Sequence, residues 1–529
     1  MEEDHNQPLL STFYDAHNPN AIDQNNSIIE KKPCSVTADH TFYNTSNIGF
    51  SREFYIELKK LWSLAGPFIF ASVCLYGLGC FTQIFAGHLG TIQLAAISVE
   101  NSVIADFGYS ILAGTAGALD TLCGQAYGAK QYDMLGIYMQ KSWFILTSAT
   151  LGNLSLFIFA TPVLKFLGQT ATISTEAGRF ALWMIPQQFA YALMIPTTKF
   201  LQAQSKVKEM ALIAAVALSL HAFLGWFLIL KIGWGLPGAA LMLNSSWWFV
   251  AVAQFLYIIS GSCGQTWPGF SWKALTNLSG FLKLSVLSAL MQCLSTWNGM
   301  AVTLLAGYLK NAEVSVAALS ICFNILGIAT TVGTGFSAAV SVRVSNELGS
   351  GRSRAAKFAV MVVGIFSTLF GLLFALVLFL QRKQYPAIFS DDEQVKQLVE
   401  ELTPLLGTHI TFSCIPANEN FNINRLISKK FGKSLIQLDF LSKLFFFFFS
   451  YMNIGCYFLI GAPLGIVLCF KFDLGLKGLW YGLLLGSCLQ ILGILLVVCL
   501  ANWKKEAYAA RKRLEQMGGK MLPQDDEET

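Results

Sequence analysis

Apolar runs of about twenty residues recur along this chain from Leu61 onward, separated by short polar breaks. A run of that length crosses the hydrocarbon of a bilayer as a helix. Twelve are present, at about 61–86, 94–122, 139–161, 179–203, 209–230, 237–260, 281–306, 314–342, 357–380, 398–420, 445–470 and 476–500. In lipid the backbone must satisfy its own polar groups, so each run is predicted to be helical. The expected fold is an all-α polytopic membrane protein with twelve transmembrane helices. Residues 1–55, rich in Asn, Asp, Ser and Thr, read as a disordered cytoplasmic tail, and 503–529 as a second, charged one. The acidic, polar start lacks the basic segment of a cleaved leader, so the first span is expected to direct insertion. Pro8-Leu9-Leu10 resembles a dileucine sorting signal, set one residue too far from Asp4.

Lys and Arg in the breaks set the orientation. With both tails inside, the inner flanks carry about 24 of them, including Lys199, Lys206, Arg343, Arg352 and the Lys504–Arg513 cluster, against about 9 outside. That cluster reads as a membrane-surface anchor.

Composition supports the membrane assignment. The 529 residues are 54% apolar and 13% charged, where a soluble domain carries about 25% charge. A net charge of +5 leaves no nucleic-acid footprint. The 12 cysteines lie mostly inside apolar runs without a Cys-x-x-Cys pair. They are expected to be free, buried thiols, with no metal site.

The two halves of the chain repeat each other. Gly87-His88-Leu89 matches Gly307-Tyr308-Leu309, a shift of 220, and Gly128 matches Gly349, a shift of 221. Ile195-Pro196 matches Ile415-Pro416 at 220, and then Gly235-Leu236-Pro237-Gly238 matches Gly475-Leu476-Lys477-Gly478 at 240. About twenty extra residues therefore lie between Pro416 and Ser450, in a window with four Asn at alternate positions and five consecutive Phe. That window, about 417–449, is either a longer loop or foreign coding sequence such as a translated intron. The predicted domains are a first lobe at 56–260, an inter-lobe cytoplasmic loop at 261–280 and a second lobe at 281–502. Paired halves of six spans suit a transporter with its site between or within them.

Ionisable groups inside spans are costly and are functional candidates by default. Span two carries Glu100, Asp106 and Asp120. On an α-helix Glu100 and Asp106 stand some 120° apart, and Asp120 returns to nearly the face of Asp106 four turns on. A carboxyl group withdrawn from water holds its proton more readily. One that takes either a proton or a cation is the simplest device for proton-coupled antiport. The alternative is that Glu100 and Asp120 merely meet water or headgroups near span ends. Gln187, Gln188, Asn153 and Gln254 are expected mostly to bond between helices, and His221 to be a satisfied packing residue. Pro67 and Pro186 are candidate bends. No Gly-x-x-x-x-Gly-Lys-Ser/Thr, Gly-x-Ser-x-Gly or His-Glu-x-x-His pattern is present, so ATPase and hydrolase chemistry have no support and an enzyme is not expected.

Gly87-His88-Leu89-Gly90, Glu100-Asn101-Ser102 and the run Ala118 to Ala129 strongly resemble the plant branch of the multidrug and toxic compound extrusion (MATE) family. Leu201 to Ser205, Arg343 to Gly349 and Asn453 to Tyr457 resemble it as well. The resemblance covers about 55–415 and 450–503. It implies two six-helix lobes around a central cavity, acting as a monomer without cofactor. It implies export of organic compounds of flavonoid, alkaloid or xenobiotic type from the cytosol, in exchange for protons or sodium, at the vacuolar or plasma membrane. On that reading Glu100, Asp106 and Asp120 couple protons, and Gln83, Asn101, Tyr76, Ser295, Trp297 and Asn298 shape the substrate cavity. One departure bears on coupling. Where the family usually carries Glu in span seven, this chain reads Cys293-Leu294-Ser295-Thr296-Trp297, and Ser295 cannot titrate.

Overall fold

The structure is a computed structural model that describes residues 50–276, 278–306, 308–309, 311–390, 392–414, 454–500 and 508. Among them every regular element is helical. Eight helices are long and apolar enough to cross a membrane, and Tyr132–Ile158 with Ala160–Phe166, bent by 60°, makes a ninth span. The remaining three predicted spans are also helices. Span four runs as Ala171–Trp183 and Ile185–Ala203, span ten as Glu393–Cys414, and span eleven from Ile454 to Lys471. Span four breaks at Met184, where Pro186 enters the first turn of its second segment and fixes a φ suited to a helix start. Residues 1–49 with the dileucine-like motif, residues 501–529 apart from Tyr508, and the 417–449 window lie outside the described residues.

The helices outrun their apolar cores. Span one is helical over Phe50–Gly87, eleven residues before the expected start at 61 and inside the segment expected to be a disordered tail. Hydropathy reads only the part that lipid must cover, and the polar first turns of a helix continue past that boundary.

Spans two and eight enclose the region of interest. Span two passes through Thr91–Val99, Glu100–Ala105, Asp106–Thr115 and Gly117–Gly128. Span seven is Leu278–Ala306, span eight Ala312–Gly349 and span nine Ser353–Leu380. Lipid gives helices little hydrophobic reason to associate, so close contact depends on small residues. The last two spans show this plainly. A Cβ at Gly482 would lie 2.3 Å from the Gly461 carbonyl oxygen, and one at Gly461 would lie 2.8 Å from that of Gly482.

The internal repeat is visible in the backbone. Lys130 and Gly351, 221 apart, both take a left-handed conformation just after spans two and eight. Gly233 and Asp473, 240 apart, do so before spans six and twelve, each following a π-helical turn, Trp226–Lys231 and Val467–Lys471. Both measured shifts are therefore structural registers. The apolar interior follows suit. Three apolar clusters lie within the first half and one within the second, and a fifth joins Leu61, Leu122 and Phe200 of the first to Phe336, Ala339 and Val363 of the second.

The segment expected to be a loop between the halves is docked. Gln140 of span three donates from Nε2 to the Gly269 carbonyl at 3.1 Å and accepts from the Ser271 amide at 2.8 Å. Thr266 donates to Gln204 at 2.9 Å, and Trp267 packs edge-on against Trp143 at 5.9 Å. Burial pushes the Cys263 thiol at the start of this strap up to about 11, against the pull of Lys206. At pH 8 its thiolate fraction should then be roughly a hundredfold below that of a free cysteine. Mass-spectrometric mapping of maleimide adducts should find Cys263 slow. Labelling at the rate of an unfolded control would mean the strap is undocked.

Candidate functional site

Glu100 is fully buried, and neither carboxylate oxygen has a hydrogen-bond partner. It opens a π-helical stretch, Glu100–Ala105. Such turns are rare and concentrate at functional sites. The wider turn also corrects the expected geometry. The 120° between Glu100 and Asp106 assumed an α-helix throughout, and the π segment advances less per residue. The four-turn relation of Asp106 to Asp120 also crosses a break between two helical segments at Ala116, whose backbone stays in the right-handed region (φ −77°, ψ −8°).

The three acids of span two occupy three different environments. Asp106, expected to be sheltered, is exposed. Its neighbours belong to both halves. Phe107 stacks on Trp297 of span seven with centroids 6.2 Å apart, and Ser110 shares a hydrogen bond of 2.8 Å with Thr296. A Cβ at Gly114 would lie 2.6 Å from the Ala289 Cα. Asp120 stands apart from both. Its Oδ2 lies 3.5 Å from Lys199 Nζ and accepts a 3.1 Å bond from Ser341 Oγ of span eight. Sequence reasoning grouped Asp120 with the other two, whereas the structure gives it to a contact between the halves.

A chain of aromatic rings begins at Tyr109, three residues beyond Asp106. Tyr109 meets Tyr191 edge-on at 5.1 Å, and Tyr191 meets Trp247 at 4.9 Å. Tyr191 accepts from Gln187. Asn153 donates to Gln188 at 3.3 Å, which ties spans three and four together behind this wall. Span two passes close by, since a Cβ at Gly108 would lie 2.8 Å from Asn153 Nδ2.

The other predicted site residues scatter. Asn101 is half-buried and Gln83 exposed, with no side-chain hydrogen bond. Trp297 is half open beside Phe107. The Tyr76 hydroxyl sits 3.1 Å from where a Cβ would stand at Gly327 of span eight, so it bridges the halves. The side chains of Ser295 and Asn298 lie outside the described residues. His221 is a packing residue, as expected. It bonds Thr82 at 3.1 Å and Ser246 at 2.8 Å, joining spans one, five and six. Gln254 accepts from Thr197 and Thr198 between spans six and four. The ten cysteines whose side chains are described are free, seven of them buried as expected, whereas Cys80 is exposed and Cys293 and Cys488 are half-buried; no group of metal-ligating residues occurs among the described residues.

Sequence reasoning missed the polar residues of the end at which span two finishes. Arg343 of span eight forks onto Glu57 of span one, Nε to Oε1 at 2.8 Å and Nη2 to Oε2 at 3.2 Å. It also pairs with Glu347, which Arg352 holds at 2.6 Å. Asn346 donates to the Ala203 carbonyl of span four at 3.2 Å. The 221-residue shift was the available signal, because it pairs Asp120 with Ser341, Gln125 with Asn346 and Gly128 with Gly349.

A helical membrane protein of twofold internal repeat, carrying a buried carboxyl group without a partner among the described residues, has the build of a transporter. The MatE family profile matches residues 67–227 and 288–418. Protein DETOXIFICATION 29 of Arabidopsis thaliana is 49% identical over 473 residues, covering 89% of this chain and 91% of the relative. Protein DETOXIFICATION 32 of the same plant is 50% identical over 470 residues, covering 89% and 88%. Among solved structures, the eukaryotic MATE transporter AtDTX14 aligns with a TM-score of 0.79 at 31% identity, over 87% of this chain and 99% of that one. The Vibrio cholerae MATE transporter VcmN in the bent form shares the fold, with a TM-score of 0.68 at 18% identity over 87% and 99%. The chain belongs to the MATE family. It is a multi-pass membrane transporter, in a family of transporters rather than enzymes.

Proposed function

We propose that this protein exports small organic compounds from the cytosol in exchange for protons, with Glu100 as the coupling carboxyl group. The observation that carries this reading is the burial of Glu100 without a partner for either oxygen. Among the described residues nothing hydrogen-bonds or pairs with that carboxyl group, and uncompensated charge in a span is expensive. The charge appears only when the surroundings change, through opening to water or arrival of a cationic group, and release of a proton then accompanies that step. Asp106, exposed one residue before Phe107, which stacks on Trp297, would meet cargo first. The rings at Tyr109, Tyr191 and Trp247 suit flat or cationic organic molecules through stacking and cation–π contact. The vacuolar and plasma membranes both fit an exporter of this kind.

The test is uptake of fluorescent organic cations by vesicles reconstituted with the full chain, with and without an imposed pH gradient. Accumulation that follows the gradient, with matching proton counterflow, is the expected result. The serine at position 295 in place of the family's acid supports a second reading, passage without coupling. In that case cargo equilibrates but never accumulates.

A further inference from the structure

The strap between the halves, residues 261–276, turns two large rings away from the bundle. Phe270 is 77% exposed and Trp272 87%. Neither sits on a loose segment. Besides the bonds to Gln140 and Gln204, Lys206 donates from Nζ to the Ser262 carbonyl at 2.6 Å. Ala274 is fully buried within the short helical turn Trp272–Leu275. That turn therefore has one side pinned to the protein, while Trp272 and Leu275 are exposed on the other. Phe270 rests edge-on against Trp267 at 5.4 Å and lies near Trp143 at 6.3 Å. A backbone held this firmly presents its rings at a fixed level.

That level is the edge of the hydrocarbon. Gln140 stands one residue inside the apolar run that opens at 139, and Gln204 one residue past the run that closes at 203. The strap itself starts where the run of span six closes at 260. Aromatic rings at that depth settle among lipid headgroups. A soluble partner would have to displace lipid to reach them. Charge narrows the choice of lipid. Residues 261–276 contain no acid. Lys273 is exposed beside Trp272, and Lys208 is exposed in the first turn of span five, followed by a half-buried Glu209. The loop-charge bias places this rim on the cytoplasmic side, where the leaflet is anionic.

We propose that the strap is a contact site for anionic lipid, with Phe270 and Trp272 inserted at headgroup level and Lys208 and Lys273 binding the acidic headgroups. The connection between the halves is then fastened twice, once to the first half and once to the leaflet. The proposal uses neither the coupling carboxyl group nor cargo. Its test places a bimane label at Phe270→Cys or Trp272→Cys, in the full chain with its other reactive cysteines replaced. Both positions are exposed, so the label displaces no packed side chain, and each labelled chain must elute as one monodisperse species. The vesicles are phosphatidylcholine with one-third phosphatidylserine. A nitroxide carried near the lipid headgroup should quench both labels more than one at the end of the acyl chain. At equal mole fraction, nitroxide-bearing phosphatidylserine should quench more than nitroxide-bearing phosphatidylcholine. Lys273→Gln and Lys208→Gln should each lower that preference by about fivefold. Absent quenching, stronger quenching from the acyl-chain end, or equal quenching by the two lipids overturns the site. Such a failure alongside gradient-driven uptake would leave the antiport reading intact. The expected quenching without such uptake would remove the antiport reading and keep the lipid site.

Discussion

Glu100→Gln should abolish gradient-driven accumulation while leaving the protein folded and able to bind cargo. Gln matches the shape of the protonated acid but carries no exchangeable charge. Both oxygens of Glu100 are unpartnered, so the substitution breaks no hydrogen bond seen in the fold. A coupled carrier should bind a cationic cargo more tightly as pH rises, because cargo and proton compete for one carboxylate. Coupling energies of this sort change affinity by about five- to 150-fold. In the variant, affinities at pH 6 and pH 8 should converge. Equilibrium binding at the two pH values, alongside vesicle uptake, makes the measurement. A variant that still accumulates cargo along the gradient would remove Glu100 from the mechanism. Asp120→Asn is the informative contrast. Its carboxylate serves Lys199 and Ser341, so its loss should loosen the contact between the halves and leave the pH dependence of binding in place.

Much of the fold was legible because lipid imposes a length and because the halves repeat. Each predicted span falls on a helix wherever residues are described, and the shifts of 221 and 240 reappear as matched left-handed residues at Lys130 and Gly351, and at Gly233 and Asp473. Helix ends were less legible, since Arg52, Glu53, Glu57, Lys59 and Lys60 interrupt the apolar positions where Phe50–Gly87 begins. The site was legible only as a set of residue types. Glu100 stood out because a carboxyl group in a span is costly, but its π turn has no sequence signature. Any inference about facing that assumed 100° per residue was bound to drift past it. Asp106 and Asp120 share the residue type and differ in surroundings, which depend on helices far away in sequence. The partner of Asp120 could have been found, because Ser341 is its repeat mate, had the repeat been read as a contact map and not only as an ancestry.

The halves have diverged where chemistry is concentrated and stayed alike where they touch. Glu100 falls opposite Ser320 or Ile321 in the repeat, neither of which can carry a proton. Ser295 likewise supplies no acid in span seven. Gly128 and Gly349, by contrast, are the same residue in the same role, each pressed against the backbone of the other's span. On the proposed antiport reading, a shared register with asymmetric chemistry leaves one coupling group to do the exchange.

Arg343→Ala should be the most destabilising single substitution among the charged residues of the bundle. Its guanidinium serves two carboxylates at once, Glu57 on span one and Glu347 on its own helix. The side chains of Glu57 and Glu347 are 9% and 3% exposed, and that of Arg343 is 20%. Removing the cation leaves two sheltered acids with only Arg352, itself 57% exposed, to offset them. Breaking a buried pair from one side costs about 3–5 kcal/mol, most of it from the abandoned charge. Arg343→Lys should recover only part of this, because a point charge cannot reproduce the two-pronged contact with Glu57. Replacing Glu57 and Arg343 together by Leu should recover more than either single change, since no charge of that pair is then stranded. Thermal unfolding of the detergent-solubilised protein should rank apparent stability as wild type, then the double variant, then Arg343→Lys, then Arg343→Ala. If Arg343→Ala unfolds at the wild-type temperature, the charge cluster contributes nothing to the bundle, and its role is confined to holding the halves together during transport.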